Sequence, residues 1–465
     1  MTKYTGTSGD DNPVLSKNER HEIYGLGGND LLNGGDLRDE IYGGIGDDLI
    51  SGLDGSDVLI GDAGRDTIYG GAGADQIDGG AGGDYLWGGD GSDVISGGAG
   101  DDSLNGEQGD DRIDTGAGND NVDGGAGDDI ITMNNSLVSD KKTILAGTGD
   151  DVIFAGLGAD NIDGGAGQDL VSYANVAIAV TIDLETGKGG GGAAGDIFRR
   201  VEDITGSAFN DKLLGNGAYN EIQGLAGNDT IRGGADGDYL DGGVGTDTLD
   251  YSTSDLRVKI DLAVNSASGG DAQGDLILNF ESVIGSGAAD LLYGSAIANS
   301  LRGGNGNDVI DARNGNDKLY GDGGNDTLKG GVGLDAISGG AGNDTLIGGA
   351  GADTLAGGLG ADKFVYLAVA DSKNMITDRD TIADFNHAQT DKIDLSQIDA
   401  NSVLGGNQAF SFIGSGAFTG SAGQLRYIKQ DGDIYVYGDV NGDKTTDFAI
   451  HLDNLATIAV GDFVL

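Results

Sequence analysis

A nine-residue period constrains this sequence more tightly than any other feature in it. The stretch Gly70-Gly71-Ala72-Gly73-Ala74-Asp75-Gln76-Ile77-Asp78 shows the unit: glycine at positions one, two and four, aspartate at six, an aliphatic residue at eight. The unit recurs in phase twelve times over residues 25–132, three times over 146–172, five times over 206–250 and nine times over 285–365. Position six departs from aspartate only at Asn220 and Asn299, and position eight departs from Ile, Leu or Val only at Phe364. A flexible Gly/Asp-rich linker has a similar composition. It would not hold an aliphatic residue at one phase of nine through 29 units.

The period has a physical reading. The glycines permit the positive φ angles and close backbone approach of a tight turn. The triplet around position eight is long enough for a short strand, with one side chain in and two out. Two units then make one coil of 18 residues, and coils stack about 4.8 Å apart as parallel strands in two sheets. The aliphatic residues fill a narrow core, and the aspartates line up along both edges. A column of carboxylates at that spacing repels itself unless a hard cation sits between successive turns. Calcium suits best, because it accepts six to eight oxygen ligands, backbone carbonyls among them. The predicted fold is all-β, a calcium-bound parallel β-roll.

The predicted ligands are the position-six aspartates. In the first block they are Asp30, Asp39, Asp48, Asp57, Asp66, Asp75, Asp84, Asp93, Asp102, Asp111, Asp120 and Asp129. Asp151, Asp160 and Asp169 follow, then Asp211, Asp229, Asp238 and Asp247. The last block supplies Asp290, Asp308, Asp317, Asp326, Asp335, Asp344, Asp353 and Asp362. Asn220 and Asn299 offer a neutral oxygen instead, which predicts weaker ion binding there and coils that order last as calcium rises. The unit resembles the calcium-binding repeat of RTX, or hemolysin-type, proteins.

Charge agrees with this reading. Lys and Arg number 26 against 77 Asp and Glu, a net charge of −51. Such a field disfavours nucleic acid and anionic lipid and favours multivalent cations. Roughly 25 divalent ions, one per inter-turn site, would offset nearly all of it. There is no cysteine, hence no disulfide framework, and Pro13 is the single proline, as expected where ladder N–H groups are used throughout. No apolar run is long enough for a membrane-spanning helix. Residues 1–10 lack an apolar core segment, which predicts no cleaved secretory signal peptide.

Along the chain, residues 1–24 read as a degenerate N-terminal cap, with His21 and Ile23 at positions six and eight of a unit that has lost its glycines. His21-Glu22 is not a zinc-protease signature, because the second histidine would stand where Gly25 does. His21, His387 and His451 read as ordinary surface or loop residues. The roll of 25–132 is followed by a loop at 133–145, read also as a hinge, and by repeats at 146–172. Insert 1 (173–205), repeats (206–250), insert 2 (251–284) and the second long roll (285–365) complete the repetitive part. The inserts resemble each other: Val180-Thr-Ile-Asp-Leu184 matches Val258-Lys-Ile-Asp-Leu262, and Gly195-Asp196 matches Gly274-Asp275. They predict extra strands that pack on the roll or cap it.

From Tyr366 glycine thins and the apolar residues lose their period. The motifs Gly360-Ala-Asp-Lys-Phe-Val-Tyr366, Asp380-Thr-Ile-Ala-Asp-Phe385, Thr390-Asp-Lys-Ile-Asp-Leu-Ser396, Phe418-Thr-Gly-Ser-Ala-Gly-Gln-Leu-Arg-Tyr427 and the terminal Asp462-Phe463-Val464-Leu465 carry a second resemblance. Residues 366–465 resemble the β-rich C-terminal domain of serralysin-type secreted metalloproteases. The resemblance implies that this region, and Asp462, Phe463, Val464 and Leu465 as its acidic-plus-apolar end, address the chain to a type I secretion apparatus.

The protease itself is not implied, because the zinc helix of that family has no counterpart here, and no Gly-x-Ser-x-Gly elbow or phosphate loop is present. Asp439, Asn441, Asp443 and Asp447 stand at positions one, three, five and nine of an EF-hand-like loop whose twelfth position is Ile450. An Asn-Gly hairpin explains the same residues. Tyr24 with Tyr42, and Tyr69 with Trp87, lie one coil apart and read as in-sheet packing pairs or as small sugar platforms.

The sequence thus describes a secreted calcium-binding protein that folds on calcium after type I export. It would act outside the cell as a non-enzymatic surface, matrix or host-interaction protein, with polysaccharide or a cell surface as partner. The alternatives are a non-catalytic portion or relative of a secreted protease or polysaccharide-modifying enzyme, and a calcium-dependent pore-former.

Overall fold

The structure is a computed structural model that describes residues 1–133 and 139–465. It divides into two units, the first made of Met1–Gly233 with Tyr239–Gly245 and the second of Gly234–Asp238 with Thr246–Leu465. Each is a parallel β-roll. Helix among the described residues is confined to three short 3-10 turns, at Gly270–Ala272, His387–Gln389 and Val460–Asp462. None of the described helices is long and apolar enough to cross a membrane.

In unit 1 the 18-residue coil is visible in the register. Ile77 pairs with Ile95 and Ile95 with Ile113 on one sheet, while Ile68 pairs with Leu86 and Leu86 with Leu104 on the other. The position-eight residues of both sheets are 0–3% exposed and form the core. Strands are longer than the predicted triplet: Gln76–Ala81 runs on through the first three positions of the next unit. The second position turns at positive φ in these strands: Gly80 at +97°, where a Cβ would stand 2.2 Å from the Asp62 carbonyl of the preceding coil, and Leu53, Asp62 and Glu107 in the same place at +76°, +71° and +73°.

The segment at 133–145, read as a loop and as a hinge, falls within unit 1. Val122 pairs with Ile144 and Ile131 with Ile153, so both sheets of unit 1 pass it in register. The spacing across it is 22 residues rather than 18, as the hydrogen bond from the Asp129 N–H to Asp151 records. Residues 134–138 of that loop lie outside the described residues.

Insert 1 is woven into the roll rather than laid on it. Ile197–Arg199 takes the next place beside Asn161–Ala166, and Val180–Asp183 pairs in parallel with Lys212–Leu214. Val180–Asp183 also forms an antiparallel hairpin with Lys188–Gly191. Insert 2 repeats the design in unit 2, with Lys259–Asp261 antiparallel to Ser266–Ser268 and parallel to Leu291–Tyr293.

Beyond residue 365 the roll of unit 2 continues for one more step on each sheet. Asp380–Ile382 pairs with Thr354–Leu359, and Lys392–Asp394 with Lys363–Val365. A three-stranded antiparallel sheet, Gln424–Gln430, Asp433–Asp439 and Phe448–Leu452, joins through Phe448–Leu452 to Asp380–Ile382. The terminal strand Phe463–Val464 closes on Lys392–Asp394.

Candidate metal centre

Every predicted position-six aspartate is buried, at 3% exposure or less. The turn glycines place them there, and one oxygen of each has a fixed task. The N–H of Asp57 donates to Oδ1 of Asp75 at 2.7 Å, and Asp75 donates in turn to Asp93 at 2.7 Å. The same step joins Asp48 to Asp66, Asp84 to Asp102 and Asp111 to Asp129 in unit 1, and Asp308 to Asp326, Asp326 to Asp344 and Asp335 to Asp353 in unit 2. Each turn is thus bolted to the next by a side chain.

The other oxygen is left over. Oδ2 of Asp30, Asp48, Asp57, Asp66, Asp75, Asp84, Asp93, Asp102, Asp111, Asp129, Asp151, Asp160 and Asp169 is buried with no hydrogen bond from the protein. So is Oδ2 of Asp308, Asp317, Asp326, Asp335, Asp344, Asp353 and Asp362. A bare buried carboxylate oxygen costs several kcal/mol unless something compensates it. The cradle around it is specific. A Cβ built on Gly70 would stand 2.5 Å from Asp75 Oδ2 and 2.3 Å from the Gly88 carbonyl oxygen of the next coil. The first glycine therefore clears a space on which a carboxylate and a carbonyl oxygen converge. Hard oxygen donors of that kind, from side chain and backbone together, fit calcium.

Electrostatics point the same way. Burial first, and neighbouring carboxylates after it, push Asp57, Asp66, Asp93, Asp102, Asp129, Asp308 and Asp353 up to about 7. Asp48, Asp111, Asp169, Asp335, Asp344 and Asp362 rise to about 6. Without a cation the columns resist ionisation at neutral pH, and a divalent ion between turns removes that resistance.

Residues 24–59, 51–86, 79–113, 87–122, 96–131, 143–171, 220–249, 293–328 and 329–364, more than half of the chain, match the RTX calcium-binding nonapeptide repeat (4 copies). The chain belongs to this RTX family. It is a calcium-binding RTX protein, and its position-six columns run through the matched repeats. Among solved structures it is similar to the AlgE6R3 subunit of the Azotobacter vinelandii mannuronan C5-epimerase, at 26% identity over 39% of this chain and 80% of that one, with a TM-score of 0.18. The AlgE6R2 subunit of the same epimerase gives 25% identity over 39% of this chain and 91% of that one, at a TM-score of 0.15. The extracellular lipase LipA from Serratia marcescens gives 17% identity over 57% of this chain, at a TM-score of 0.21, and the RTX chain spans 41% of its length. No match was found among curated proteins.

Four predicted ligands of the RTX columns have their second oxygen engaged by the protein itself. Asp39 Oδ2 accepts from the Gly35 N–H at 2.6 Å, Asp211 Oδ2 from the Ser207 N–H at 2.5 Å and Asp290 Oδ2 from the Ser286 N–H at 2.6 Å. Asp120 Oδ2 meets the Lys142 ammonium. Asp229, Asp238 and Asp247 occupy the same columns and are equally buried.

The columns also hold members that the sequence reading missed. Asp196 accepts from the Asp160 N–H, Asp275 from Asp238, Asp380 from Asp353 and Asp391 from Asp362. Burial raises Asp380, with Asp353 beside it, to about 9. All four stand two residues before an apolar strand residue, as a position-six aspartate does; Asp380 and Asp391 lack the glycines that set the phase, Asp275 keeps only the first (Gly270), and Asp196 keeps only the first two (Gly191 and Gly192). In the inserts a tyrosine faces the spare oxygen: Tyr173 donates to Asp196 Oδ2 at 2.5 Å and Tyr251 to Asp275 Oδ2 at 2.6 Å. His21 is not a surface residue either. It is 1% exposed, and its N–H donates to Asp39 as an aspartate's would.

At the other candidate loop, the oxygens are already in use. Asp439 accepts from the Gly442 and Lys444 N–H groups, Asn441 from Asp443, Asp443 from Thr445 and Asp447 from Val440. That is the geometry of a tight hairpin between Asp433–Asp439 and Phe448–Leu452. Beside it Asp433, His451 and Asp453 bring ligand atoms within 4.8 Å of one another. The paired aromatics stack face to face, Tyr24 on Tyr42 at 4.8 Å and Tyr69 on Trp87 at 4.7 Å.

Proposed function

We propose that this RTX protein is exported unfolded and then folds outside the cell on binding calcium, acting there as a non-enzymatic surface or matrix protein. The observation that carries the reading is the run of bare, buried Oδ2 atoms along both edges of each roll. At the submicromolar calcium of a cell interior the carboxylates repel, the thin core is insufficient, and the repeats stay open. At millimolar calcium the ions tie each turn to the next, and binding free energy becomes folding free energy. Extracellular calcium modules bind at about 10⁻⁴–10⁻³ M, which suits such a switch. The position-six carboxylates and the glycine-cleared carbonyls would hold the ions, and calcium when bound supplies positive charge between turns.

The export part rests on the serralysin-like motifs of residues 366–465 and on Asp462-Phe463-Val464-Leu465. In the folded chain Phe463 is 7% exposed and paired with Ile393, while the Asp462 carboxylate accepts from the Ala459 N–H. An export address of this kind would be readable only before folding, which fits a chain that folds after transit. Circular dichroism of calcium-stripped protein should show little β signal and a cooperative gain near millimolar calcium. A fully folded calcium-free protein at neutral pH would end the folding mechanism. Deleting 463–465 should hold the chain inside a host that carries a type I exporter, and undiminished secretion would end the export reading.

A further inference from the structure

One column contains a cation of its own. Lys142 is 1% exposed, and its side chain lies inside the roll of unit 1 rather than in the loop the sequence suggests. Its backbone follows the aspartate rule: the Lys142 N–H donates to Asp160 Oδ1 at 2.7 Å, and its carbonyl accepts from the Asn161 N–H at 2.9 Å. It therefore fills position six of a coil, at the place in the column between Asp120 and Asp160. The four extra residues that lengthen this coil to 22 put a lysine where every neighbouring coil of that column has aspartate.

The ammonium points back into the preceding turn. It donates to the carbonyl oxygens of Gly116 at 3.0 Å and Gly118 at 3.1 Å, and its third N–H meets Asp120 Oδ2. Those are the carbonyls of positions two and four and the spare oxygen of position six. All three donors are satisfied, and Asp120 is accordingly absent from the bare carboxylates of that column, which include Asp84 and Asp102 before it and Asp160 after it. A sequence detail agrees independently. In the glycine-headed units a Cβ at position one would stand 2.2–2.7 Å from the aspartate Oδ2. The unit of Asp120 begins instead with Thr115, the one first position in the 29 units larger than alanine.

We propose that Lys142 is a built-in replacement for calcium. Its ammonium occupies the inter-turn site of Asp120, that site takes no ion, and the two coils it joins hold together when calcium is withdrawn. The inference rests on the calcium reading of the other columns. Its consequence is a calcium-independent nucleus in unit 1, from which ion-filled turns can extend in both directions.

The test is a count of ions on the full chain at saturating calcium, by native mass spectrometry, for the unaltered protein, Lys142→Asp and Lys141→Asp. Lys142→Asp restores the carboxylate ladder and should bind one calcium more than the unaltered chain. Lys141→Asp makes the same change of charge at an exposed neighbour and should bind no more. If Lys142→Asp binds the same number as the unaltered chain while both bind many, this proposal fails and the calcium reading stands. If the unaltered chain binds none, both fail. Hydrogen exchange of the unaltered chain serves should the variant not fold. As calcium is lowered, amides of Asn121–Ala126 and Thr143–Thr148 should keep protection after those of Gln76–Ala81 and Val94–Ala99 have lost it. Simultaneous loss would overturn the proposal.

Discussion

Asp57 shows how one side chain can serve two masters. Its Oδ1 accepts from the Asp39 N–H at 2.7 Å and would be content in either charge state, while its bare Oδ2 makes the ionised form expensive. Burial and the neighbouring Asp75 and Asp39 raise it to about 7 from an ordinary 3.8. The linkage has a definite sign. A carboxyl raised in the folded state contributes stability that is complete below about 3.8 and is lost as pH rises through about 7. Calcium-free protein should therefore hold more β structure at pH 4 than at pH 8. With millimolar calcium the dependence should invert, because only the carboxylate binds the ion and binding releases protons. Circular dichroism at stepped pH, with and without calcium, checks both halves. A calcium-free β signal that does not change between pH 4 and 8 would refute the assignment of those oxygens.

At the scale of the turn, the units of Asn220 and Asn299 behave differently from what their neutral side chains suggest. The Asn220 amide donates to the Glu202 carbonyl at 2.5 Å, and that of Asn299 to the Glu281 carbonyl at 3.1 Å. An amide N–H thus stands where other turns have the Oδ1 acceptor, the oxygen of each asparagine accepts from the Asn216 or Ser295 N–H in the place of the bare one, and the coil is tied to its predecessor without an ion. Hydrogen exchange at falling calcium should find Glu221–Gln223 and Ser300–Asn305 opening later than the ion-dependent turns, the reverse of the order read from the sequence. Asn220→Asp should destabilise the calcium-free protein by about 1–3 kcal/mol, because two acceptors would then face each other. What the sequence made legible here was the phase: Asp75, Ile77 and their equivalents all fall where a period of nine puts them. What it hid were positions such as Asp380, Lys142 and His21, which keep the spacing to the apolar strand residue but have no glycines to announce it. Nor does a linear sequence show that an amide, a tyrosine hydroxyl or an ammonium can take over a cation's work, since that depends on which oxygen lies 18 or 22 residues away.

For the whole molecule, the ends of the stacks matter as much as their middles. In unit 1 the first coils are covered by Thr2–Thr5, which pairs with His21–Gly27, and by Asp11, whose N–H donates to Asp30 at 2.7 Å. In unit 2 the last coils find their acceptors in Asp380 and Asp391, beyond the repeats. Along the position-six columns the side-chain acceptor comes from the later coil and the N–H donor from the earlier one, whereas at position five the direction is reversed, as from the Arg65 N–H to Asp47 and from the Asn343 N–H to Asn325. The two rims of such a stack are therefore unlike: an early rim of position-six carboxylates and position-five N–H groups, and a late rim of position-six N–H groups and position-five acceptors, each complementary to the other. Covered, they are inert. A fragment of residues 25–132, from the stack of unit 1 alone, would bare both, and the early rim of one copy could seat on the late rim of the next. That contact is head-to-tail and does not close on itself, so the fragment should polymerise into filaments in calcium and dissolve in chelator. Light scattering and electron microscopy would show it, and a fragment that stays monomeric in calcium would show that the rims need more than their caps removed. On this view Thr2–Thr5 with Asp11, and Asp380 with Asp391, are polymerisation terminators, each for the stack of its own unit.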